Sequence, residues 1–397
     1  MIAIDATPLQ TVNRHHGIGA YTAGLLDALT DPSRKDAHVG PLGLLLQEAR
    51  PDDLPLAAAL AARPDVRLIP VRQPQWRLER YQWVIDRLQL LVHHGFVAAA
   101  VKRARARVYH ATEPFGLVVV PGSATVATLY DLIPLHYPAA FFPPRWLDLR
   151  AEYARYLHQA RRADHLIAIS EATKQDAVLR LRIPPERISV TPLAVDDKRF
   201  YPRTVAQVSD ALTRHHLRQP YFLHVGSSAH HKNSAALVRA FDLYCCEAGA
   251  DHALYVTGSW EPRSRADLEA SYRHLVDNGR LRLLGLVPGA DLPALYSGAT
   301  ALAYPSLIEG FGLPVLEAMR CATPVLTSNI SSLPEVGGDA ALYVDPHNVE
   351  EIAAGLRQLA EQSTLRAGLV ERGMRRADGF TWTRTAERTL QAYRELL

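Results

Sequence analysis

Residues 305–319 read Pro305-Ser306-Leu307-Ile308-Glu309-Gly310-Phe311-Gly312-Leu313-Pro314-Val315-Leu316-Glu317-Ala318-Met319. An apolar run ends near Tyr304, a glycine-containing loop follows, and a helix is predicted from Leu313. Pro314 suits its first turn, where an N–H would be unpaired anyway. The backbone amides of Gly310 to Leu313 and the helix N-terminus can receive an anion. Glu309 falls on the loop and Glu317 about one turn inside the helix, so the two carboxylates can hold hydroxyls at two points along one elongated ligand. The same residues also suit a tight strand-to-helix turn in which Glu309 complements the helix dipole. Residue chemistry alone leaves both readings open.

A second segment, residues 224–233, reads His224-Val225-Gly226-Ser227-Ser228-Ala229-His230-His231-Lys232-Asn233, a strand, a polar loop and a helix start. Lys232 is one of only five lysines in a chain that otherwise uses arginine. Its ammonium is a compact charge suited to a diphosphate; a solvated cation beside an Asn233 cap fits the same residues. Near the N-terminus, Gly17 and Gly19 precede a predicted helix, where glycine lets backbone amides approach a ligand closely and an ordinary loop is the plainer alternative. Tyr130 and Asp131 close a predicted strand, and Asp131 also suits a turn or cap. Ser170-Glu171-Ala172-Thr173-Lys174 is a helix N-cap with Lys174 solvated.

Short β-branched or apolar runs alternate with helical patterns, which implies mainly parallel sheets covered by helices. Strands are predicted at 2–4, 43–46, 66–71, 108–111, 125–129, 165–169 and 188–191, then at 221–225, 253–257, 281–284, 301–304, 324–327 and 341–344. Helices are predicted at 21–29, 234–246, 291–299, 313–320 and 349–361. Between the two strand series, polar residues 194–219 read as an interdomain linker. Two doubly wound units in tandem place crevices at the carboxyl ends of their strands.

Composition narrows the function classes. The 397 residues suit two domains, and a net charge of +3 lacks the clustered excess that nucleic acid would favour. Cys245, Cys246 and Cys321 form no Cys-x-x-Cys pair, so neither a disulfide framework nor a zinc site is expected. Asp5 interrupts the apolar N-terminus, and no run of about 20 apolar residues exists, so neither a signal peptide nor a membrane span is expected. The basic, aromatic stretch 76–107 includes Trp76, Arg77, Arg80, Tyr81, Trp83, Arg87, Phe96, Lys102, Arg103, Arg105 and Arg107. It reads as packed helices with a charged outer face or, alternatively, as a surface that docks on anionic lipid.

Glu309-x7-Glu317, with Gly-Phe-Gly-Leu-Pro between, resembles the signature of the family 4 retaining glycosyltransferases. Gly285-Leu286-Val287 before it and Ser331-Ser332-Leu333-Pro334-Glu335-Val336 after it resemble that family too. The resemblance covers nearly the whole chain. It implies an α/β GT-B fold, two Rossmann-like domains facing across a cleft. Residues 1–195 would form an acceptor-binding domain, residues 196–379 a nucleotide-sugar donor domain, and residues 380–397 a helix crossing back to the first.

The resemblance also implies roles. Glu309 and its neighbouring amides would face the transferred sugar and phosphates, and Glu317 the ribose. Lys232-Asn233 is similar to a Pro-Arg-Lys-Asn pattern of bacterial members, with His231 in place of arginine; Ser227 also replaces an arginine of other branches. A diphosphate contact that is weaker or more pH-dependent than usual is therefore expected. The implied donor-binding set is Gly226, His231, Lys232, Val287, Glu309, Gly310, Phe311, Gly312, Leu313 and Glu317. Residues 13–21 resemble a Gly-Ile-Gly-Arg-Tyr loop, with Ala20 replacing its arginine and Arg14 a substitute charge. Residues 128–134 resemble Thr-x-His-Asp-Leu-x-Pro, with Tyr130 replacing histidine. Gly17, Gly19, Tyr130 and Asp131 are the implied acceptor-side residues. Glu309, Lys232 and Asp131 are the implied catalytic ones.

The expected activity is retaining transfer of a sugar, mannose first, from a nucleoside diphosphate to a saccharide or lipid-linked acceptor. GDP-mannose is favoured over UDP-sugars, with no cofactor, metal or nucleic acid. The expected location is the cytoplasm, with peripheral contact at the inner membrane face. The alternatives are a nucleotide-sugar epimerase on the same fold and a non-catalytic sugar-nucleotide-binding protein.

Overall fold

The computed structural model describes residues 1–10, 17–31, 41–47, 63, 65–71, 82–143, 147–246 and 251–397. They form two compact units, Met1–Ala194 together with Thr381–Leu397, and Val195–Phe380.

The first unit is built on seven parallel strands. These are β1 (Ile2–Asp5), β2 (Leu42–Gln47), β3 (Val66–Val71), β4 (Val108–Ala111), β5 (Ala124–Leu129), β6 (His165–Ala168) and β7 (Ile188–Val190), in the order β3-β2-β1-β4-β5-β6-β7. Every residue of β1, β4 and β6 is buried, as helices on both faces of a parallel sheet require. The second unit repeats the plan with β8 (Tyr221–Val225), β9 (Ala253–Thr257), β10 (Leu281–Gly285), β11 (Ala301–Tyr304), β12 (Val325–Ser328) and β13 (Leu342–Val344), in the order β10-β9-β8-β11-β12-β13. Strand ends differ from the sequence expectation by at most one residue.

In both units the first strand lies inside the sheet and the chain winds outward on either side of it. The reversal falls between β1 and β4 in one unit and between β8 and β11 in the other. Loops leaving two such strands diverge to opposite faces and open a crevice at their carboxyl ends. In the second unit those loops are residues 226–233 and 305–312.

The structure corrects the linker reading of residues 194–219. Val205–Arg214 is a helix closed by a capping box, the Thr204 side chain accepting from Gln207 N while the Gln207 side chain accepts from Thr204 N. Val208, Ala211 and Leu212 recur at helical spacing and are buried. The helix belongs to the second unit, where Gly298 admits Val208: a Cβ on Gly298 would meet Val208 Cγ1 at 2.6 Å. The stretch 76–107 is also revised. Its described part is one helix, Gln82–Arg103, ending in exposed Lys102 and Arg103, whereas Trp76, Arg77, Arg80 and Tyr81 lie outside the described residues.

The last helix, Trp382–Glu395, is capped by Thr381 and packs within the first unit. Trp382 fills the space that Gly24 leaves, since a Cβ there would come to 2.2 Å from the indole. Tyr393 meets His110 Nδ1 at 2.6 Å, and His110 Nε2 meets Thr128 Oγ1 at 2.8 Å. A buried polar chain thus ties the helix to β4 and β5.

Candidate active site

Glu309 lies in the loop between β11 and the helix Leu313–Arg320. Two serines of the next connection fix that loop. Glu309 N donates to Ser331 Oγ at 3.1 Å, and the Ser331 hydroxyl donates back to Glu309 O at 2.9 Å. The Ser332 hydroxyl reaches Glu309 O at 3.0 Å and Phe311 O at 2.8 Å. Gly312 takes φ 110°, a left-handed conformation that favours glycine, and a Cβ there would meet Leu333 at 2.8 Å. Pro314 lies in the first turn, as expected. Phe311 is 4% exposed and its ring meets Phe380 edge-on, so its side chain packs the loop and only its backbone is left for a ligand. Leu313 is half-buried, and Gly310 is buried beside Glu309.

The loop after β8 brings Lys232 to this point. Its Nζ donates to both Glu309 oxygens, at 2.8 and 3.0 Å, and to the Tyr304 hydroxyl at 2.8 Å. The Tyr304 hydroxyl donates to Glu309 Oε1 at 2.7 Å. Burial works against the Glu309 carboxylate, but Lys232, His231 and Tyr304 together hold its carboxyl below the usual range. Burial likewise opposes the Lys232 charge, and Glu309 and Tyr304 outweigh it, so the ammonium is held well above its ordinary value. The cluster at neutral pH is therefore a cation, an anion and a neutral phenol.

Asn233 departs from its expected role. It stands at φ 57° before the helix Ser234–Cys245, yet its side chain makes no cap. Its amide donates instead to Pro305 O at 2.9 Å and Pro346 O at 2.7 Å, pinning the Lys232 turn to the Glu309 loop. Gly226 is required by packing. A Cβ there would meet His224 Nε2 at 2.4 Å, and a Cβ on Gly258, at φ 142°, would run into the Gly226 carbonyl. His231 is half-buried, and burial pushes its imidazole down to about 4. The ring is therefore neutral at physiological pH, unlike the arginine it replaces.

Glu317 faces a separate partner. The Tyr296 hydroxyl, from the helix Leu292–Gly298, donates to Glu317 Oε2 at 2.8 Å. Burial raises the Glu317 carboxyl above its usual range, against the opposing pull of Tyr296 and Arg199. At the end of β10, Gly285 takes φ 71°, leaving Leu286 76% exposed and Val287 half-buried at the carboxyl end of the sheet.

Two family models match the sequence, Glycosyltransferase Family 4 over residues 49–199 and Glycosyl transferases group 1 over residues 210–376. Each model falls almost wholly within one of the two units, and both describe glycosyltransferases. Among curated relatives of this chain is O-antigen chain mannosyltransferase B of Escherichia coli, 36% identical over 245 residues, which are 60% of this chain and 63% of that protein. Serotype-specific mannosyltransferase WbdA of Escherichia coli is 27% identical over 69% of this chain and 34% of its own length. The chain thus spans less than two thirds of these relatives. Among solved structures, sucrose-phosphate synthase from Thermosynechococcus elongatus superposes with a TM-score of 0.70 at 19% identity, covering 100% of this chain and 98% of that one. The fold is GT-B, with two Rossmann-like units.

In the first unit, the loop reading of Gly17 and Gly19 is modified. Both lie in the first turn of the helix Gly17–Leu29, so their amides belong to a helix N-terminus. Arg14 lies outside the described residues. The hydroxyl of Tyr130, the residue that replaces histidine, donates to Thr112 O at 2.9 Å. Asp131 Oδ1 accepts from Ile133 N at 3.0 Å, the turn role that suits an aspartate at a strand end. Ser170 caps its helix through Thr173 N at 3.0 Å. Among the described residues, no helix is long and apolar enough to cross a membrane, and no cluster of metal-ligating side chains occurs.

Sequence reasoning missed Tyr304, Tyr296 and the two serines as site residues. Tyr304 and Tyr296 read as apolar members of a strand and a helix, and each turns a single hydroxyl to a glutamate.

Proposed function

We propose that this chain is a retaining glycosyltransferase that moves a hexosyl group, mannosyl first, from a nucleoside diphosphate to a saccharide or lipid-linked acceptor. The observation that carries the reading is the junction of Lys232 and Glu309 beside the amides that open the helix Leu313–Arg320. A cation and a helix N-terminus at one point suit a diphosphate leaving group. A carboxylate beside them suits the hydroxyls of the sugar being transferred, and Glu317, farther along the same helix, suits the ribose.

The names of the relatives support mannose and therefore GDP-mannose. Leaving-group charge is stabilised by Lys232 and fixed dipoles without a resident metal. Asp131 and Tyr130, with the first turn at Gly17 and Gly19, serve the acceptor side. Exposed Lys102 and Arg103 support peripheral contact with an anionic membrane face. An epimerase or a non-catalytic binder would not need an acceptor.

The test is turnover of GDP-mannose, UDP-glucose and other nucleotide sugars, with and without saccharide and lipid-linked acceptors, in the presence of a chelator. Acceptor-dependent release of nucleoside diphosphate, with an axial anomeric linkage from an axial donor, is the expected result. Donor conversion without acceptor would indicate an epimerase, and tight binding with no turnover a binding protein.

A further inference from the structure

All three hydrogen-bond partners of the Lys232 ammonium come from its own unit. Its ammonium donates to both oxygens of Glu309, and both residues share the hydroxyl of Tyr304. The Tyr304 side chain is fully buried at the end of β11, with no access for a ligand. A diphosphate that uses Lys232 must therefore draw the ammonium from a carboxylate that would be left buried without its cation. Such a carboxylate is costly unless a donor remains to it.

We infer that Tyr304 is a positioning residue for a change of partner, in which Lys232 passes from Glu309 to the donor diphosphate while the Tyr304 hydroxyl stays on Glu309 and holds it in place. The inference rests on the glycosyltransferase reading above and deepens it. No bond to the sugar is involved: one ammonium proton changes its acceptor from a carboxylate to a phosphate oxygen. Asn233 and the serine pair keep both loops fixed during the exchange, which requires only side-chain movement.

The exchange has a signature in protons. The charged or titratable groups facing Glu309 are Lys232, His231, Tyr304 and, behind them, His224. Moving Lys232 onto phosphate removes the principal charge that favours the carboxylate, so Glu309 takes up a proton more readily in the complex. Without the Tyr304 hydroxyl it does so more readily still.

Calorimetric titration with GDP-mannose near pH 6, in buffers of different ionisation enthalpy, reads the protons taken up, with UDP-glucose run in parallel. Neither ligand has a phosphate group that titrates there. Wild type should take up a fraction of a proton per ligand, Tyr304→Phe more, and Glu309→Gln none. In turnover, Tyr304→Phe should lower kcat by about tenfold or more with donor KM within a few-fold. Its melting temperature separates misfolding from loss of the hydroxyl, and the wild-type proton count needs no variant. Binding without proton uptake in wild type, uptake that persists in Glu309→Gln, or equal uptake in wild type and Tyr304→Phe would each overturn the inference while leaving the donor reading intact. Failure of both ligands to bind would remove the donor reading, and this inference with it.

Discussion

Tyr296 donates its hydroxyl to Glu317 at 2.8 Å, linking the helix that precedes β11 to the helix that follows it. Glu317 is thereby held on one edge while burial raises its carboxyl above the usual range. If Glu317 binds the ribose, Glu317→Ala should raise donor KM by tenfold or more with a smaller loss in kcat. Tyr296→Phe keeps the ring and removes the restraint, so it should raise KM by roughly threefold. Initial rates at varied donor concentration check both; a larger loss in kcat than in KM would move Glu317 to the reacting centre.

Glu309→Gln should act in opposite directions on stability and on diphosphate affinity. Removing the anion leaves the mostly buried Lys232 ammonium without its counter-charge, which costs on the order of 3 kcal/mol in sites of this kind. The same change frees Lys232 for phosphate. The variant should therefore melt earlier, bind nucleoside diphosphate as tightly as wild type or more tightly, and lose about a hundredfold or more in kcat. Thermal melts and calorimetry on one preparation decide it. Weaker diphosphate binding would show that Glu309 does not compete for Lys232.

The strands were legible because runs such as 221–225 and 301–304 are short, apolar and punctuated by polar loops. The helix Val205–Arg214 was not, since only three of its ten residues are buried and its neighbours are polar. Glu309 and Lys232 were each visible as chemistry, and the resemblance supplied their roles. Their pairing was not visible, because they stand 77 positions apart and meet only through the adjacency of β8 and β11. Tyr304 was hidden for a different reason. A tyrosine closing an apolar strand reads as core, and only the folded arrangement puts its one polar atom between two charges.

Gly24→Ala should loosen the last helix from the first unit. The added methyl would overlap the Trp382 indole, a rigid ring that cannot yield by a small rotation. Overpacking of this sort costs about 1–3 kcal/mol. Lower melting temperature and faster proteolysis after residue 380 are expected. Gly24→Ala combined with Trp382→Leu should recover part of the loss, and an unchanged melt in Gly24→Ala would show that the indole is not seated there.

Acid stability should carry the mark of His224. It is fully buried, Nδ1 lies 2.8 Å from Ala303 O, Nε2 lies 2.9 Å from Ser234 Oγ, and burial pushes it down to about 4. Its unfolded value is about 6.5. Between those values the unfolded chain binds a proton that the folded chain refuses, so stability falls as pH drops through that window and is fully present above it. Each tenfold difference in proton affinity between folded and unfolded chain corresponds to about 1.4 kcal/mol, so the loss is of the order of a few kcal/mol. Denaturant melts of wild type and His224→Asn from pH 7 to pH 4 should show a shallower decline in the variant, whatever its stability at pH 7. Parallel declines would mean that His224 is protonated in the fold.

His231 decides how this chain differs from relatives with arginine at that place. Resemblance alone predicts a titrating cation beside the diphosphate and donor affinity that falls from about pH 6 to 8 because of it. The structure removes the basis of that expectation for the free chain: burial pushes the ring down to about 4, so above pH 6 there is no imidazolium to lose. A slope in donor affinity over this range then comes from Glu309, and it is common to wild type and His231→Arg. Arginine adds a charge that persists at every pH in the window, so His231→Arg should bind GDP-mannose more tightly by a constant factor, about tenfold for one added charge-assisted contact. The two affinity curves should be parallel on a logarithmic scale. Calorimetric titration at four pH values between 6 and 8 measures them, with a sugar nucleotide as ligand so that no terminal phosphate titrates. Curves that converge at pH 6 and separate by pH 8 would mean that bound diphosphate protonates His231, and the ring would then substitute for arginine only in the complex.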